Sequence, residues 1–415
     1  FGDYFFVCII VLCCINSAQA HLPCPVNARG VLQCDAEVKS SYKKSVSLHF
    51  DVNSREESYA ARMLTKSLQE RGYVINANSG DYSIKFFIDK RGYDAEAFAI
   101  IPEGNVIKII GGDYRGLIYG ALSLSEDLRN EILLDNAVAR SEKPKLMLRA
   151  VKYDLPWDTY RHSEALNLHD ETCRDPKYWE AFLDMMAENR LNALSLWNLH
   201  PYPFMIIPKN YPEASPFTKE EFKEWQKLFQ SIIGMAAERA IETYLIPFNI
   251  FVTPEFSVAH NVAMDNLDHH FYVRGETAQI VKDYTRECVT QVLEEYPDLT
   301  GFGLTLGEGM AGMTPQEREA WMTETIIEGM RRANRPSKLV HRVPFSSTTE
   351  SLGNTSVETE RITRASIERE ADMGFTEGPI FADFKFNWSH SLSTPKLIKV
   401  HGGPLYDTYF NPVSD

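Results

Sequence analysis

The sequence predicts an α/β protein: a (β/α)8 TIM barrel, C-terminally truncated, preceded by a small α+β domain. Two observations indicate this fold class. From about residue 145 onward, short apolar segments alternate with amphipathic helical patterns, and strands that alternate with helices of this length form parallel βαβ units. Before that point the pattern is β-α-β-β-β-α, over a length that is usual for one small domain.

Length and composition are those of a globular protein with two domains. The chain has 415 residues, of which 44% are hydrophobic and 24% are charged, so it exceeds the usual size of a single domain. The formal net charge is -14, and the chain shows no basic run. These features argue against nucleic acid as the main partner, because phosphate binding needs clustered Lys and Arg.

The first twenty residues predict a secretory signal peptide rather than part of the fold. Residues 5–15 are apolar and too short to span a bilayer, and Ala18-Gln19-Ala20 has the small-residue pattern of a cleavage site. We expect cleavage after Ala20, and a secreted or periplasmic protein with no membrane contact after cleavage. Because the chain opens with Phe1 rather than Met, we also expect the basic start of the signal to be missing.

The cysteines permit one disulfide. Three of the seven lie in the signal peptide. Cys24 and Cys34 lie close together in a loop-rich segment of an exported chain, where a disulfide is permitted. Cys173 and Cys288 are isolated, and their spacing suggests neither a metal site nor a nucleophile.

Residues 21–140 are predicted to form the N-terminal α+β domain. Its first helix is expected to begin at a capping box of Ser54 and Glu57 and to end at Gly72. The domain contains no cluster of catalytic residue types. The remaining predicted elements are strands over 45–52, 84–88, 97–101 and 106–110, a helix over 114–130, and a polar linker over 136–145.

Residues 145–415 are predicted to form the barrel. Three of its helices have clear start signals, at Asp175 before a proline and at the capping-box residues Thr218 and Thr314. Since closure needs eight strands and eight helices, the sequence predicts a barrel that is incomplete at its C-terminus. The predicted strands are 146–153, 193–197, 243–250, 302–306, 338–343 and 379–384, with 404–409 as a seventh candidate.

One carboxylate stands at the end of the fourth barrel strand. The apolar strand 302–306 runs into Gly307-Glu308-Gly309, and the helix start at Thr314 follows. Glu308 is therefore predicted to lie on a β-to-α loop, on the barrel face where active sites are built. The alternative is that the glycines only make a tight turn and Glu308 is solvated.

The ends of the other barrel strands are rich in polar, aromatic and acidic residues. Such a rim is typical of a carbohydrate site, because aromatic faces stack on the C–H surfaces of a sugar while fixed polar groups bond its hydroxyls. Arg and Lys in the rim favour an anionic sugar, because a guanidinium binds a carboxylate through two parallel hydrogen bonds. For any single residue, a packed core position is the competing interpretation. The candidate substrate-binding residues are Asp154, Trp157, Arg161, Trp197, Asn198, His200, Glu255, Arg342, Lys385, Trp388 and His390.

Hydrolysis of a glycosidic bond needs two carboxyl groups, a protonated acid and an ionised base or nucleophile. Glu308 is the candidate acid, because an apolar strand end favours the protonated form of a carboxyl group. Asp383 and then Asp407 are the candidate partners, since both lie near later strand ends. The separation of the two groups decides between inversion and retention, and the sequence leaves both open.

These features resemble glycoside hydrolase family 67, the α-glucuronidases. The resemblance rests on the small α+β unit before a barrel and on the segments KYDLPW at 152–157, GFGLTLGEGM at 301–310 and DFKFNWSH at 383–390. It implies removal of 4-O-methylglucuronic acid side chains from xylan fragments with inversion. It also implies that the acid falls on Glu308 and that one base falls on Asp383.

The same two-domain layout is shared with glycoside hydrolase family 20, the β-N-acetylhexosaminidases. Those enzymes place an adjacent Asp-Glu pair at the fourth strand, and the Asp orients the acetamide group of the substrate. This chain has Gly307 immediately before Glu308. The departure argues against acetamide-assisted chemistry.

Two readings from other functional classes stay open. A metal-dependent barrel hydrolase would use His200, His341 and Asp383, but the His-x-His pair expected on its first strand is absent. A carbohydrate-binding protein that kept the barrel and lost activity is the other, and the glycine-flanked Glu308 argues against it.

The sequence as a whole predicts a secreted glycoside hydrolase that acts on acidic, uronic-acid-containing poly- or oligosaccharides. We expect a carbohydrate as its partner, and we expect neither a metal nor a cofactor. The fold alone does not decide this, because the barrel hosts many unrelated chemistries.

Overall fold

The computed structural model describes residues 44–76, 79–157, 164–262, 277–307, 310, 312–343 and 357–384. This part of the chain forms two six-stranded sheets, one ending at Glu142 and the other starting at Ala150. The second sheet is built from parallel strands that alternate with helices. The predicted fold class, an α/β barrel layout behind a small α+β unit, is confirmed.

The N-terminal unit is one mixed sheet with two helices packed on it. Its elements are β1 (Ser45–His49), α1 (Arg55–Glu70), β2 (Val74–Ile75), β3 (Tyr82–Ile88), β4 (Phe98–Glu103), β5 (Val106–Gly111), α2 (Tyr114–Arg129) and β6 (Arg140–Glu142). The strand order is β2-β1-β3-β5-β4-β6, and β4 runs antiparallel to both of its neighbours. The two helices contact each other and bury their apolar residues against the sheet.

Helix α1 begins at the predicted cap, but the expected box is only half formed. The Ser54 side chain accepts a hydrogen bond from the Glu57 N–H (3.1 Å). The Glu57 carboxylate accepts the N–H of Asp51 (2.7 Å) instead of that of Ser54. The glutamate therefore ties the preceding turn to the helix.

The segment predicted as a linker supplies the last strand of this sheet. Strand β6 pairs with β4, with Ser141 opposite Ala99. Its residues are all polar, and Arg140 is held by Asp127 (2.8 Å) and Ser123 (2.9 Å) of α2. An edge strand held by polar contacts has no apolar alternation, so the sequence pattern did not predict it.

The second sheet has the consecutive, parallel order of a (β/α) barrel. Its strands are β7 (Ala150–Asp154), β8 (Ala193–Asn198), β9 (Glu242–Pro247), β10 (Gly301–Leu304), β11 (Lys338–Val343) and β12 (Phe381–Phe384), each paired with the next. The helices are α3 (Glu164–Cys173), α4 (Pro176–Glu188), α5 (Tyr202–Met205), α6 (Lys219–Glu238), α7 (Pro254–His260), α8 (Gln279–Glu295), α9 (Pro315–Met322), α10 (Glu328–Arg332) and α11 (Val357–Asp372). A π-helical turn, Thr323–Ile327, joins α9 to α10.

The barrel helices begin where their capping residues stand. The Asp175 side chain accepts the N–H of Lys177 at the start of α4. Thr218 and Thr314 each form a complete capping box, with Glu221 and Glu317, at the starts of α6 and α9. These caps satisfy N–H groups that have no partner inside the helix.

Successive residues of the barrel strands face two different cores. One set, which includes Trp197, Tyr244 and Phe381, forms a cluster in the barrel interior. The other set, which includes Leu196 and Leu245, packs in the core shared with the helices. Both faces of each strand are therefore buried, as is usual for parallel sheets.

Glycines on β10 let side chains of the neighbouring strands meet in the interior. A Cβ atom on Gly303 would lie 2.8 Å from Cδ1 of Ile246 on β9. Gly301 also lacks a side chain, and near it Lys338 of β11 reaches Glu242 of β9 (2.6 Å). The curled sheet thus brings strands together that are not hydrogen-bonded partners.

Buried charges join the two units. Arg115 of α2 donates to Glu96 (2.6 Å) and to Glu242 of β9 (3.3 Å). Asn192, next to β8, donates to the same Glu96 (2.8 Å). The N-terminal unit is therefore fixed to the end of the barrel opposite the carboxyl ends of its strands.

A second contact joins α1 to the helices of the barrel. The Tyr59 hydroxyl donates to Asp184 of α4 (3.1 Å), and Arg239 donates to the same carboxylate (2.8 Å). The Arg239 guanidinium also lies 4.7 Å from the Tyr59 ring.

Among the described residues, no helix has the length and apolar character that crossing a membrane requires.

Candidate active site

Six of the predicted site residues lie outside the described residues. They are Glu308, Asp407, Arg161, Lys385, Trp388 and His390. Their predicted roles stay predictions. The described candidates are Asp154, Trp157, Trp197, Asn198, His200, Glu255, Arg342 and Asp383.

An aromatic ring flanked by two cations lies in the barrel interior. Trp197 on β8 is 4% exposed. The Lys152 ammonium of β7 lies 4.1 Å from its ring centroid, and the Arg342 guanidinium of β11 lies 5.0 Å from it. A tryptophan ring attracts cations through its electron-rich face, so it holds both positive charges on one side of the sheet.

Two carboxylates accompany this cation pair. Asp154 lies opposite Trp197 in the strand register, and its carboxylate is 3.3 Å from Lys152. Asp383 on β12 is buried and lies opposite Arg342. The structure thus brings together Asp154, Trp197, Arg342 and Asp383, all at or near the carboxyl ends of their strands. We refer to these four residues and Lys152 as the interior cluster.

The end of β10, where Glu308 follows in the sequence, is fixed by polar contacts. Thr305 donates to the Pro247 carbonyl (2.8 Å), and Asn249 donates to the Thr305 carbonyl (2.6 Å). Leu306 and Met310, on either side of Glu308 in the sequence, are buried.

Gly307 has a backbone conformation that side chains disfavour. Its φ is +99°, in the region that L-residues other than glycine rarely adopt. An aspartate at this position would be strained. The glycine is therefore matched to the local backbone.

Three candidates point away from the barrel interior. Trp157 packs against Phe204, Trp225 and Phe229 in the core shared with the helices. The Asn198 side chain donates to the Trp157 carbonyl (2.7 Å) and so braces the loops after β7 and β8. These contacts are those of packed structural residues, which was the competing interpretation.

His200 is the third of these residues. It is 1% exposed, and its Nε2 atom lies 2.9 Å from the Tyr284 hydroxyl of α8. Burial lowers the pKa of His200 to about 3. The imidazole is therefore neutral, so it cannot supply a proton to a leaving group near pH 7.

Glu255 lies in the first turn of the helix that follows β9. It is the second residue of α7, and its side chain is exposed. Thr253 caps this helix by accepting the Phe256 N–H (3.1 Å). A carboxylate in the first turn of a helix is favoured by the helix dipole, which accounts for Glu255 without a ligand.

The alternative metal site is contradicted. His200 and His341 both face the helices, whereas Asp383 shares the strand face of Phe381 in the barrel interior. In the described part of the chain, these three side chains do not form a group whose ligand atoms converge. The strand alternation separates them, because adjacent strand positions point to opposite faces.

The sequence pattern did not predict Lys152 as a site residue. Its segment, KYDLPW, carries only the family resemblance. The signal that could have found it is its position between Val151 and Tyr153, which face the helices. A lysine in a strand with two buried faces has to be paired or to serve a ligand.

No protein-family model matches this sequence, and no curated protein is significantly similar to it. Solved structures do match. A glycoside hydrolase family 138 enzyme that targets pectin rhamnogalacturonan II matches with a TM-score of 0.62 and 25% identity, over 72% of this chain and 44% of that one. A mutant Streptomyces plicatus β-hexosaminidase in complex with its product GlcNAc matches with a TM-score of 0.51 and 12% identity, over 82% and 70% of the two chains.

The chain is structurally similar to glycoside hydrolases. A family 20 β-N-acetylhexosaminidase from Streptomyces coelicolor A3(2) also matches, with a TM-score of 0.51 and 11% identity over 78% of this chain and 69% of that one. At these identities the hexosaminidases share the fold alone. The chain spans 44% of the length of the family 138 enzyme. The layout shared with family 20 is confirmed, and the resemblance to family 67 stays a prediction.

Proposed function

We propose that this protein is a glycoside hydrolase that acts on acidic, uronic-acid-containing poly- or oligosaccharides. The observation that supports it best is the interior cluster, in which Lys152 and Arg342 flank Trp197 in the barrel interior. In this fold, ligands bind at the carboxyl ends of the strands.

The cluster has the parts that an acidic sugar needs. The Trp197 ring holds the two cations in place, and the cations offer charge-assisted hydrogen bonds to a carboxylate. Asp154 and Asp383 limit the net positive charge and can accept bonds from hydroxyls. The family 138 neighbour targets pectin rhamnogalacturonan II, and pectin is rich in uronic acids, so the comparison supports the same substrate class. An α-glucuronidase-like specificity is one form of this proposal.

The proposed catalytic pair is Glu308 as general acid and Asp383 as base, with Asp407 as a further base candidate. Leu306 and Met310, two positions before and after Glu308 in the sequence, are buried and apolar. Apolar surroundings favour a protonated carboxyl group. Asp383 lies opposite Arg342 in the strand register, and a neighbouring guanidinium favours an ionised carboxylate. Acid–base hydrolysis requires one protonated and one ionised carboxyl group, and Glu308 and Asp383 are proposed for these two roles.

Acetamide-assisted hydrolysis of the hexosaminidase kind is the less favoured candidate. It needs an Asp before the acid Glu, and this chain has Gly307 there with φ +99°.

We also propose that the protein is exported. The apolar residues 5–15 and the small-residue pattern at 18–20 support this proposal.

The decisive experiment measures sugar release by the full-length protein and by its Glu308→Gln variant. The substrates are glucuronoxylan oligosaccharides, pectic oligosaccharides and chitobiose. We expect free uronic acid from an acidic substrate, and a rate about 10²- to 10⁴-fold lower in the variant, because a general acid contributes about that factor. Glu317→Gln is the matched control, since it makes the same change at an exposed helix cap in the same βα unit.

Each outcome bears on one part of the proposal. Release of N-acetylglucosamine from chitobiose alone would support the hexosaminidase-like candidate. Binding without release from any substrate would support a carbohydrate-binding barrel. An unchanged rate in Glu308→Gln would remove Glu308 from the acid role.

A further inference from the structure

A buried cluster of two glutamates and one histidine lies behind β11, on the side of the strand that faces the helices. Its members are Glu319 of α9, His341 of β11 and Glu370 of α11, and each is at most 3% exposed. Nε2 of His341 lies 3.2 Å from Glu319 and 4.0 Å from Glu370. All three potential ligand atoms lie within 4.8 Å of one another. This is separate from the interior cluster, because adjacent strand positions face opposite sides.

The cluster contains polar atoms that have no hydrogen-bond partner. Both carboxylate oxygens of Glu370 and Nδ1 of His341 are buried without one among the described residues. Arg369, which precedes Glu370 in α11, donates to Thr323 and Ser366 (3.2 Å each) rather than to Glu370. A fully buried carboxylate with no hydrogen bond is costly, so the arrangement calls for a ligand at this point.

We propose that Glu319, His341 and Glu370 bind one divalent transition-metal ion, for which Zn²⁺ is the best fit. Imidazole and carboxylate are ordinary Zn²⁺ ligands, and tetrahedral coordination at about 2.0–2.1 Å places ligand atoms about 3.4 Å apart. The 3.2 Å between His341 and Glu319 is close to this distance, and Glu370 has to move about 0.6 Å closer to His341 to reach it.

A further contact supports the site. Thr363 of α11 donates to the second oxygen of Glu319 (2.7 Å), which leaves the first oxygen directed at His341. Partners of this kind orient the ligands of protein metal sites. The ion would tie β11 to α9 and α11, directly behind Arg342. Its role is structural, since strand β11 lies between this cluster and the barrel interior, and the proposal does not depend on the proposed function.

The alternative is that this cluster binds a proton instead of a metal ion. Although burial opposes protonation, the Glu319 carboxylate raises the pKa of His341 to about 9, and burial raises the pKa of Glu370 to about 6. A histidinium paired with the Glu319 carboxylate would then take the place of the metal ion. The two occupants predict different metal contents.

The test measures metal content and thermal unfolding of untagged full-length protein. After incubation with Zn²⁺ and gel filtration, we expect about one ion per chain by mass spectrometry, a Tm that falls with a chelator, and recovery when Zn²⁺ is restored. Loading with Co²⁺ should give the visible absorption bands of a four-coordinate site. Glu370→Gln should abolish all three signals, whereas Glu328→Gln, an exposed change on α10, should leave them unchanged.

The proposal would be overturned if the wild-type protein bound neither Zn²⁺ nor Co²⁺ and if the chelator left its Tm unchanged. It would also be overturned by full binding in Glu370→Gln. Both results are read from the wild type or from a folded variant, so loss of folding in one variant does not hide the answer. Sugar release is not part of the test, so its outcome is independent of the proposed activity.

Discussion

At the scale of single residues, the site depends on which way each strand residue faces. Lys152 and Arg342 reach the barrel interior and meet at Trp197, whereas Tyr153 and His341, their immediate neighbours, face the helices. Two neighbouring cations repel each other, and this is unfavourable unless anions or an aromatic face balance their charge. Asp154, Asp383 and the Trp197 ring supply this balance, and an acidic substrate would add to it.

Replacement of Lys152 by Met should weaken binding of an acidic substrate selectively. The loss of one charge-assisted hydrogen bond, worth about 1.5–3 kcal/mol, corresponds to a rise in KM of about 10- to 100-fold. The measurement compares KM for a uronic-acid oligosaccharide and for its carboxyl-reduced form, and only the first should change. Lys143→Met, at an exposed ion pair of the N-terminal unit, serves as the control. Equal losses on both substrates would contradict a carboxylate-binding role.

At the scale of elements, the long helices carry their own start signals and their own buried stripes. Helix α6 begins at the Thr218–Glu221 capping box and buries Phe222, Trp225 and Phe229 along one side. Its start was predicted because the box involves residues only three apart. The strands of the barrel are shorter, and their ends are set by pairing with neighbours that are distant in the sequence.

Substitution of Thr218 by Ala should lower the free energy of unfolding by about 1 kcal/mol, the usual value of an N-cap side chain. The Thr218 hydroxyl accepts the Glu221 N–H (3.3 Å), and alanine leaves that donor without a protein partner. Urea unfolding followed by circular dichroism measures the change. Ser231→Ala is the control inside the same helix, where the serine only bonds the Lys227 carbonyl (2.8 Å). It should be neutral or slightly stabilising, and an equal loss in both variants would argue against a capping effect.

At the scale of the whole molecule, the N-terminal unit and the barrel share a buried charge network. Arg115 bridges Glu96 of one unit and Glu242 of the other. Lys338 binds Glu242 from β11 (2.6 Å). The network connects the two sheets through the amino ends of the barrel strands. We therefore expect the two units to unfold together.

Because of this network, the free energy of unfolding depends on pH in the acid range. Burial opposes ionisation, but the charges of Arg115 and Lys338 hold the pKa of Glu242 below its ordinary value of 4.5. A lowered folded-state pKa gives stability that is present above that ordinary value and is lost as the pH falls through the folded-state value. Glu242→Gln should thus be less stable than wild type at pH 7, and the difference should shrink at pH values below 4.5.

Urea unfolding of wild type and Glu242→Gln across this pH range tests the prediction. Glu294→Gln, at an exposed ion pair, is the matched control and should follow wild type at every pH. A constant difference between wild type and Glu242→Gln would show that the charge of Glu242 does not contribute to the pH dependence.

Of the proposed site, the sequence predicted the residue types and the strand ends, and part of that set lies together. Asp154, Trp197, Arg342 and Asp383 are in the interior cluster, whereas Trp157, Asn198 and His200 are packed toward the helices. Trp197 and Trp157 are of the same residue type and both lie near strand ends, but Trp197 faces the barrel interior and Trp157 faces the helices. That difference decides between a ligand site and a core position.

The sequence by itself determined the fold class, the long helices and most strand positions, because these follow from local periodicity and from contacts three or four residues apart. Only the tertiary structure decided which strand face is the barrel interior. His341 and Arg342 are adjacent, polar and both buried, so hydrophobicity does not show which of the two faces the barrel interior. The same holds for strand β6 and for the cluster behind β11, because each is formed by polar residues that are far apart in the chain and meet only when the sheet and helices pack.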